Sequence, residues 1–211
     1  MLHKIHNHRT AVGGDISASS FMEKSKQNLL LLEKALDRIK LPRSDNVMVS
    51  SSYYSICMEH YRSILILLEL RLYSSASALL RSLFESYVRG LWFYYCSSDS
   101  DITLLKKDKF EKEFGMLVKE IEKNTVAGLL SAKKNNWGTL NGLTHSGAGQ
   151  VFRRVSDDNI SSNFDAGFIE DTMKFANNYG LLAAGQLALI SGDKKAQAAV
   201  LEIKKASDID K

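Results

Sequence analysis

A single proline, Pro42, stands in 211 residues. Proline breaks helices by removing an amide donor and crowding the preceding turn, so a chain almost free of it can form long uninterrupted helices. The stretch from Ser74 to Cys96 makes the fullest use of that freedom. At 100° per residue it places Leu80, Leu83, Tyr87, Gly90, Leu91 and Tyr94 on one side, and Ala78, Arg81, Glu85, Val88, Arg89 and Trp92 on the other. A helix apolar nearly all round is a buried helix, so this segment is expected at the centre of the fold.

The flanking pattern supplies its neighbours. A first helix is expected from Asp15–Ser20 to about Lys40, with Phe21, Leu29, Leu32, Leu36 and Ile39 inward, ending at Leu41-Pro42. A second runs from Asp45 or Ser50 to Tyr73, with Tyr53, Ile56, Cys57, Tyr61, Ile64, Leu65, Leu67 and Leu68 inward. Ser97 to Asp101 reads as a polar turn, Lys106 to Lys123 as an amphipathic outer helix, and Val126 to about Leu143 as a further helix capped by Thr125. Periodicity stops between Asn141 and Gln150, where Gly142, Gly147 and Gly149 break the helix. After a polar loop from Ser156 to Asn163, a long helix spans Phe164 to about Ser191, with Gly180 and Gly185 allowing close approach, and a short one spans Lys194 to Ala206. The pattern predicts an all-α, antiparallel helical bundle with additional N- and C-terminal helices. A flexible leader, 1–14, precedes one domain, 15–211, with its core at about 45–192.

A hydrophobic share of 45%, a charged share of 25% and a net charge of +4 are those of an ordinary globular domain, permitting an anionic partner without requiring one. Cys57 and Cys96 lie in apolar helical patterns with no Cys-x-x-Cys pair, as expected of core residues in a reducing compartment. No signal-peptide pattern and no membrane-length apolar run is visible, so a cytoplasmic protein without membrane attachment is expected. His3, His6 and His8 sit in the leader without acidic or cysteine partners and read as tail residues rather than metal ligands. No cofactor and no metal is expected.

Arg81, Glu85 and Arg89 recur at i, i+4 and i+8, a spacing that lets two guanidiniums reach one carboxylate. Two readings stand side by side. The line is a structural clip, whose breakage in a buried setting costs about 3–5 kcal/mol, or it holds an anion such as phosphate with Glu85 orienting the arginines. Glu59 and Arg62 extend the line if the two helices pack antiparallel. His145, beside the glycine turn, is the candidate general acid or base, against a plainer role as a capping or packing residue; His60 reads as a packed helix residue. Gly-x-x-x-x-Gly-Lys-Ser, strand-bound Gly-x-Gly-x-x-Gly, His-Glu-x-x-His and Gly-x-Ser-x-Gly motifs are all missing.

Three patches carry a resemblance: Ala78 to Trp92, Phe114 to Glu122, and Trp137 to Gly147 with Gln150, Arg153 and Arg154. Over roughly residues 50–190 they resemble an uncharacterised bacterial all-helical family, a domain of unknown function, similar in layout to the HEPN proteins, which are nucleotide-binding domains and toxin ribonucleases. The HEPN nuclease motif sets an arginine and a histidine four to six residues apart on one helix. No arginine stands at Gly138, Thr139 or Leu140 ahead of His145, so any active site would be composite, assembled by folding from Arg81, Glu85 and His145.

The resemblance implies a bacterial defence or toxin–antitoxin protein that binds a nucleotide or RNA phosphate and cleaves RNA. Its catalytic residues would be His145, Arg81 and Glu85, and its substrate-binding residues Arg89, Thr144, Ser146, Gln150, Arg153 and Arg154. The alternative is a non-catalytic homodimer or partner-protein module with a structural Arg-Glu-Arg cluster, using helix 164–191 or the tail helix as interface. A small-ligand sensor with a pocket beside Trp92 and Trp137 is the third.

Overall fold

The computed structural model describes residues 14–156 and 158–207, with side chains from residue 19 onward. The helices are α1 (Gly14–Leu36), α2 (Asp45–Glu69), α3 (Tyr73–Tyr95), α4 (Asp99–Lys106), α5 (Phe114–Asn124), α6 (Leu129–Thr144), α7 (Ala148–Val151), α8 (Ala166–Ser191) and α9 (Lys194–Ser207). A small antiparallel hairpin, β1 (Val155–Ser156) with β2 (Asn159–Ile160), lies between α7 and α8. The protein is an all-α helical bundle. Among the described residues no helix is long and apolar enough to cross a membrane. Residues 1–13 of the expected leader, with its three histidines, lie outside the described residues, and Gly14 begins α1.

The expected central helix is α3. It packs along α2 and is covered on its other sides by α8, α6 and α5, while α1 and α9 cover α8. Leu83, Phe84, Val88 and Phe93 are fully buried, and Trp92 nearly so. Its charged residues are not: Arg81, Glu85 and Arg89 are partly exposed, on an edge the packing leaves open.

Two glycines set the closest helix approaches. A Cβ on Gly90 would lie 2.5 Å from Tyr54 Cε1, and one on Gly180 would overlap the Tyr61 ring. Tyr61 cannot give way, because its hydroxyl bonds Asn177 Oδ1 at 2.8 Å and the Ser25 carbonyl at 3.1 Å, with Asn177 Nδ2 donating to Ser25 Oγ at 2.8 Å. That buried polar network joins α1, α2 and α8. Gly185, also expected to pack closely, has nothing within 4 Å of a built Cβ.

Several expected boundaries move, each for a local reason. The first helix ends at Leu36 instead of Lys40, since Arg38 turns left-handed at φ 59° before the proline. Ser98 and Asp101 form a capping box that makes the supposed polar turn the start of α4. The single outer helix expected over 106–123 is split, because residues 107–113 leave the helical path at Asp108 (φ 53°) to bury Phe110 against Trp92 and Phe93, with ring centroids 5.1 and 5.0 Å away. Thr125 ends α5 rather than capping α6. The next helix starts at Leu129 after left-handed Gly128, its first N–H groups received by Glu122. Ile56, expected inside, is 42% exposed.

Trp92 is held by more than packing. Its Nε1 donates to Glu120 Oε2 at 2.6 Å, Lys112 Nζ bonds that same oxygen at 2.9 Å, and the Lys112 ammonium sits 4.4 Å from the Trp92 ring centroid. The Lys112 ammonium, helped by the Trp92 N–H, holds the Glu120 carboxyl below its ordinary range. A depressed carboxyl pKa contributes stability that is present above the unfolded value near 4.5 and lost as the pH falls through the folded value. Glu120→Gln should therefore be less stable than the parent at pH 6, with the gap narrowing as the pH is taken below 4.5 in urea titrations.

The glycines give a paired expectation. Gly180→Ala should lose about 1–3 kcal/mol through overpacking. Gly185→Ala should gain about 0.5–1 kcal/mol from helix propensity alone. Equilibrium denaturation of the two variants reads both signs.

Candidate functional site

On the open edge of α3, Arg81 and Glu85 stand one turn apart. Arg81 Nε donates to Glu85 Oε1 at 2.7 Å, each side chain being about one-quarter exposed. Arg81 Nη1 lies 2.7 Å from His145 Nε2, at the C-terminal cap of α6. A guanidinium has no acceptor, so the imidazole nitrogen accepts and the ring proton resides on Nδ1. The guanidinium carbon also sits 4.9 Å from the Trp137 ring centroid. Trp137 stacks on Phe114 at 4.3 Å and 9°, and Phe114 meets buried Phe84 edge-on at 5.5 Å. The position of Arg81 is thus anchored to the core through three aromatic rings.

His145 is presented by a tight reversal. Ser146 adopts φ 53°, and Gly147 N–H donates to the Gly142 carbonyl at 2.7 Å, a Schellman-type closure of α6. A Cβ on Gly147 would come within 3.1 Å of the Gly142 backbone, so a side chain there would require the turn to open by a few tenths of an ångström. Thr144 Oγ1 donates to the Ala78 carbonyl at 3.2 Å, which ties the end of α6 to α3. The imidazole itself is exposed, a position compatible with ligand contact.

Beyond the turn, buried Gln150 donates from Nε2 to the Leu143 carbonyl at 2.9 Å and to the Ser74 carbonyl at 3.1 Å. Arg154 Nη2 donates to Ser74 Oγ at 3.0 Å, and its guanidinium lies 5.8 Å from the Phe164 ring centroid. Arg153 sits 4.4 Å from the Phe168 centroid and donates from Nη1 to the Gly149 carbonyl at 2.6 Å. Ser74, Ser75, Ala78, Leu143, Thr144, Ser146, Gln150, Val151 and Arg154 line an open pocket of about 360 Å³.

Of the sequence-predicted residues, folding therefore gathers Arg81, Glu85 and His145 directly, with Thr144, Ser146, Gln150 and Arg154 around the adjoining pocket and Arg153 on the same segment. Arg89 is not part of this group. It has no hydrogen bond or ion pair to Glu85, and at 1.5 Å rise per residue it lies about 16 Å along α3 from Ala78. The two-arginine clip is a one-arginine pair, because Arg81 takes the near carboxylate oxygen while its other edge is drawn to His145. The line is not extended by α2 either: Arg62 pairs with Glu33 of α1. His60 is partly exposed on α2, and burial lowers its pKa. A second pocket of about 440 Å³ lies among α3, the α5–α6 link and α8, lined by Tyr87, Tyr95, Val126 and Gln186 among others. Neither pocket is lined by Trp92 or Trp137.

Sequence reasoning missed Trp137 as the surface under Arg81, and Ser74 with Phe164 as the setting of Arg154. The contacts of Arg81 with Trp137 and of Arg154 with Ser74 join residues more than fifty positions apart, where no local periodicity reports them.

Fold and site together define a helical-bundle protein with an arginine–imidazole contact beside a serine-lined pocket. The chain belongs to the family of unknown function DUF6988, whose model matches residues 54–208 and so takes in α3, α6 and the whole pocket. Neither a curated protein nor a solved structure matches the chain.

Because the Arg81–Glu85 pair is partly solvated, its ionic part is worth about 0.2–1 kcal/mol, and the Trp137 contact adds about 0.5–1 kcal/mol. Arg81→Ala should accordingly cost roughly 1–2 kcal/mol in urea denaturation, and exposed His145→Ala less than about 0.5 kcal/mol. An equal loss in both variants would contradict this division.

Proposed function

We propose that this protein binds the phosphate of a nucleotide or RNA strand across the face formed by Arg81, His145 and Arg154. The observation that carries the reading is the 2.7 Å contact between Arg81 Nη1 and His145 Nε2, which joins a cation to an exposed imidazole beside an open pocket. Lys133, 5.8 Å from the Trp137 ring centroid, and Arg153 add positive charge nearby, against one carboxylate from Glu85. Guanidiniums held in place by aromatic faces and carboxylates are preorganised for phosphate oxygens. The layout in which the sequence resembles HEPN proteins points the same way, and on that resemblance we extend the reading to a bacterial defence or toxin–antitoxin role with RNA cleavage at a composite site. In the cleaving form, His145 moves a proton and Arg81 stabilises the charged phosphate.

A fluorescent single-stranded RNA 20-mer titrated at 50 mM salt should bind, with affinity falling as salt rises. Arg81→Ala and Arg154→Gln should each weaken it at least tenfold. Cleavage lost in His145→Ala with binding retained would assign the proton transfer to His145. Absence of binding by both this RNA and AMP would overturn the reading.

A second reading has its own observation. Val151, Phe152, Val155 and Ile160 are 51–80% exposed between the end of α7 and β2, an apolar surface suited to self-association or a partner protein. Helix 164–191 is the less suitable interface, since Ala176, Gly180, Ala183, Ala184 and Ala188 are spent inside the bundle. Light scattering of the parent and of Phe152→Asp should show a dimer that dissociates in the variant.

A further inference from the structure

The pocket of about 440 Å³ among α3, the α5–α6 link and α8 falls within the range of small-molecule sites, roughly 300–1,000 Å³. It shares no lining residue with the pocket beside His145, so its occupant is a separate question from the phosphate assigned to that face. None of the residues lining it is charged, in a chain of which 25% are. An ion entering it would lose water against walls that offer no countercharge, which is costly.

Two of those walls are phenols. Tyr87 and Tyr179 are 4% and 5% exposed, with ring centroids 5.4 Å apart. Neither hydroxyl has a hydrogen-bond partner among the described residues, yet the sealed hydroxyls that lack one are those of Ser50, Ser51 and Tyr54. The hydroxyls of Tyr87 and Tyr179 are therefore open, and they belong to the little surface these two residues keep. Both residues line the cleft, which is where that surface can be reached. Burial pushes both phenols up, Tyr179 to about 12, and the neighbouring Tyr179 raises Tyr87 further, so each keeps its proton at neutral pH. Buried donors are nearly always paired, and two in one cleft call for an acceptor.

The remaining walls set the other half of the demand. Leu91, Leu129 and Leu182 line the cleft, and Val126 stands fully exposed at its edge. We propose that this cleft binds an uncharged ring compound whose apolar body rests on the leucines and whose acceptor, a carbonyl oxygen or ring nitrogen, receives the Tyr87 and Tyr179 hydroxyls. Water alone would serve the hydroxyls and leave Leu182 and Val126 wet, whereas such a ligand satisfies both.

Two-dimensional NMR titration of the full chain with acetophenone, ethylbenzene and benzoate separates the demands, because these molecules share one ring and differ in acceptor and charge. Acetophenone should move the amide signals of Tyr87, Leu129 and Tyr179 and bind about fivefold or more tightly than ethylbenzene, which has no acceptor. Benzoate should leave those signals in place. Tyr87→Phe and Tyr179→Phe remove hydroxyls that bond nothing in the protein, so combining them should bring acetophenone down to the ethylbenzene level and leave ethylbenzene unchanged. Should that variant not fold, the comparison of probes in the parent decides alone. Equal affinity for the two neutral probes in the parent, or benzoate bound as tightly as acetophenone, overturns the ligand class. Signals unmoved by either neutral probe overturn the site itself, and the RNA titration above is independent of all these outcomes.

Discussion

Desolvation of α3 is the constraint on which the rest of the structure depends. One helix with apolar residues around most of its circumference needs cover on nearly every side, and α2, α8, α5 and α6 supply it. Gly90 lets α2 approach to the distance of a tyrosine ring, and Gly180 does the same for α8 against α2. Burying an apolar side chain fully is worth about 1.5–3 kcal/mol, so the many core residues of α3 outweigh any single surface contact.

The charged edge of α3 follows from that arrangement. Arg81, Glu85 and Arg89 cannot be desolvated cheaply, and the bundle leaves their side open. Arg81 then acquires partners from α6, whose end is fixed by Thr144 on Ala78 and by Gln150 on Leu143 and Ser74. The arginine–imidazole contact is thus a consequence of how α6 is docked. Its precision comes from the Phe84–Phe114–Trp137 stack, which reaches from the core to the guanidinium.

How much of this was legible in the chain differs by element. The helices over Ser74–Cys96 and Phe164–Ser191 were readable because their apolar periodicity is long. The split between α4 and α5 was not, because the demand of Phe110 for Trp92 and Phe93 outweighs a locally helical pattern. For the site, the i, i+4, i+8 spacing put Arg81, Glu85 and Arg89 in one line and the glycine turn marked His145, whereas the structure brings Arg81 to Glu85 and His145 and leaves Arg89 apart. An i, i+4 rule treats both neighbours of Glu85 alike, whereas the docking of α6 makes them different.

By itself the sequence determined that this protein is helical, that Ser74–Cys96 is its interior, and that a glycine turn presents His145 at the end of a helix. These follow from local rules: the scarcity of proline, the 3.6-residue period and the backbone freedom of glycine. Only the tertiary structure decided that Arg81 faces His145, that Gln150 ties α7 to the start of α3, and that Arg154 stands there too. Those contacts join residues 64 to 80 positions apart, and their geometry depends on how side chains pack between helices, which no local pattern encodes.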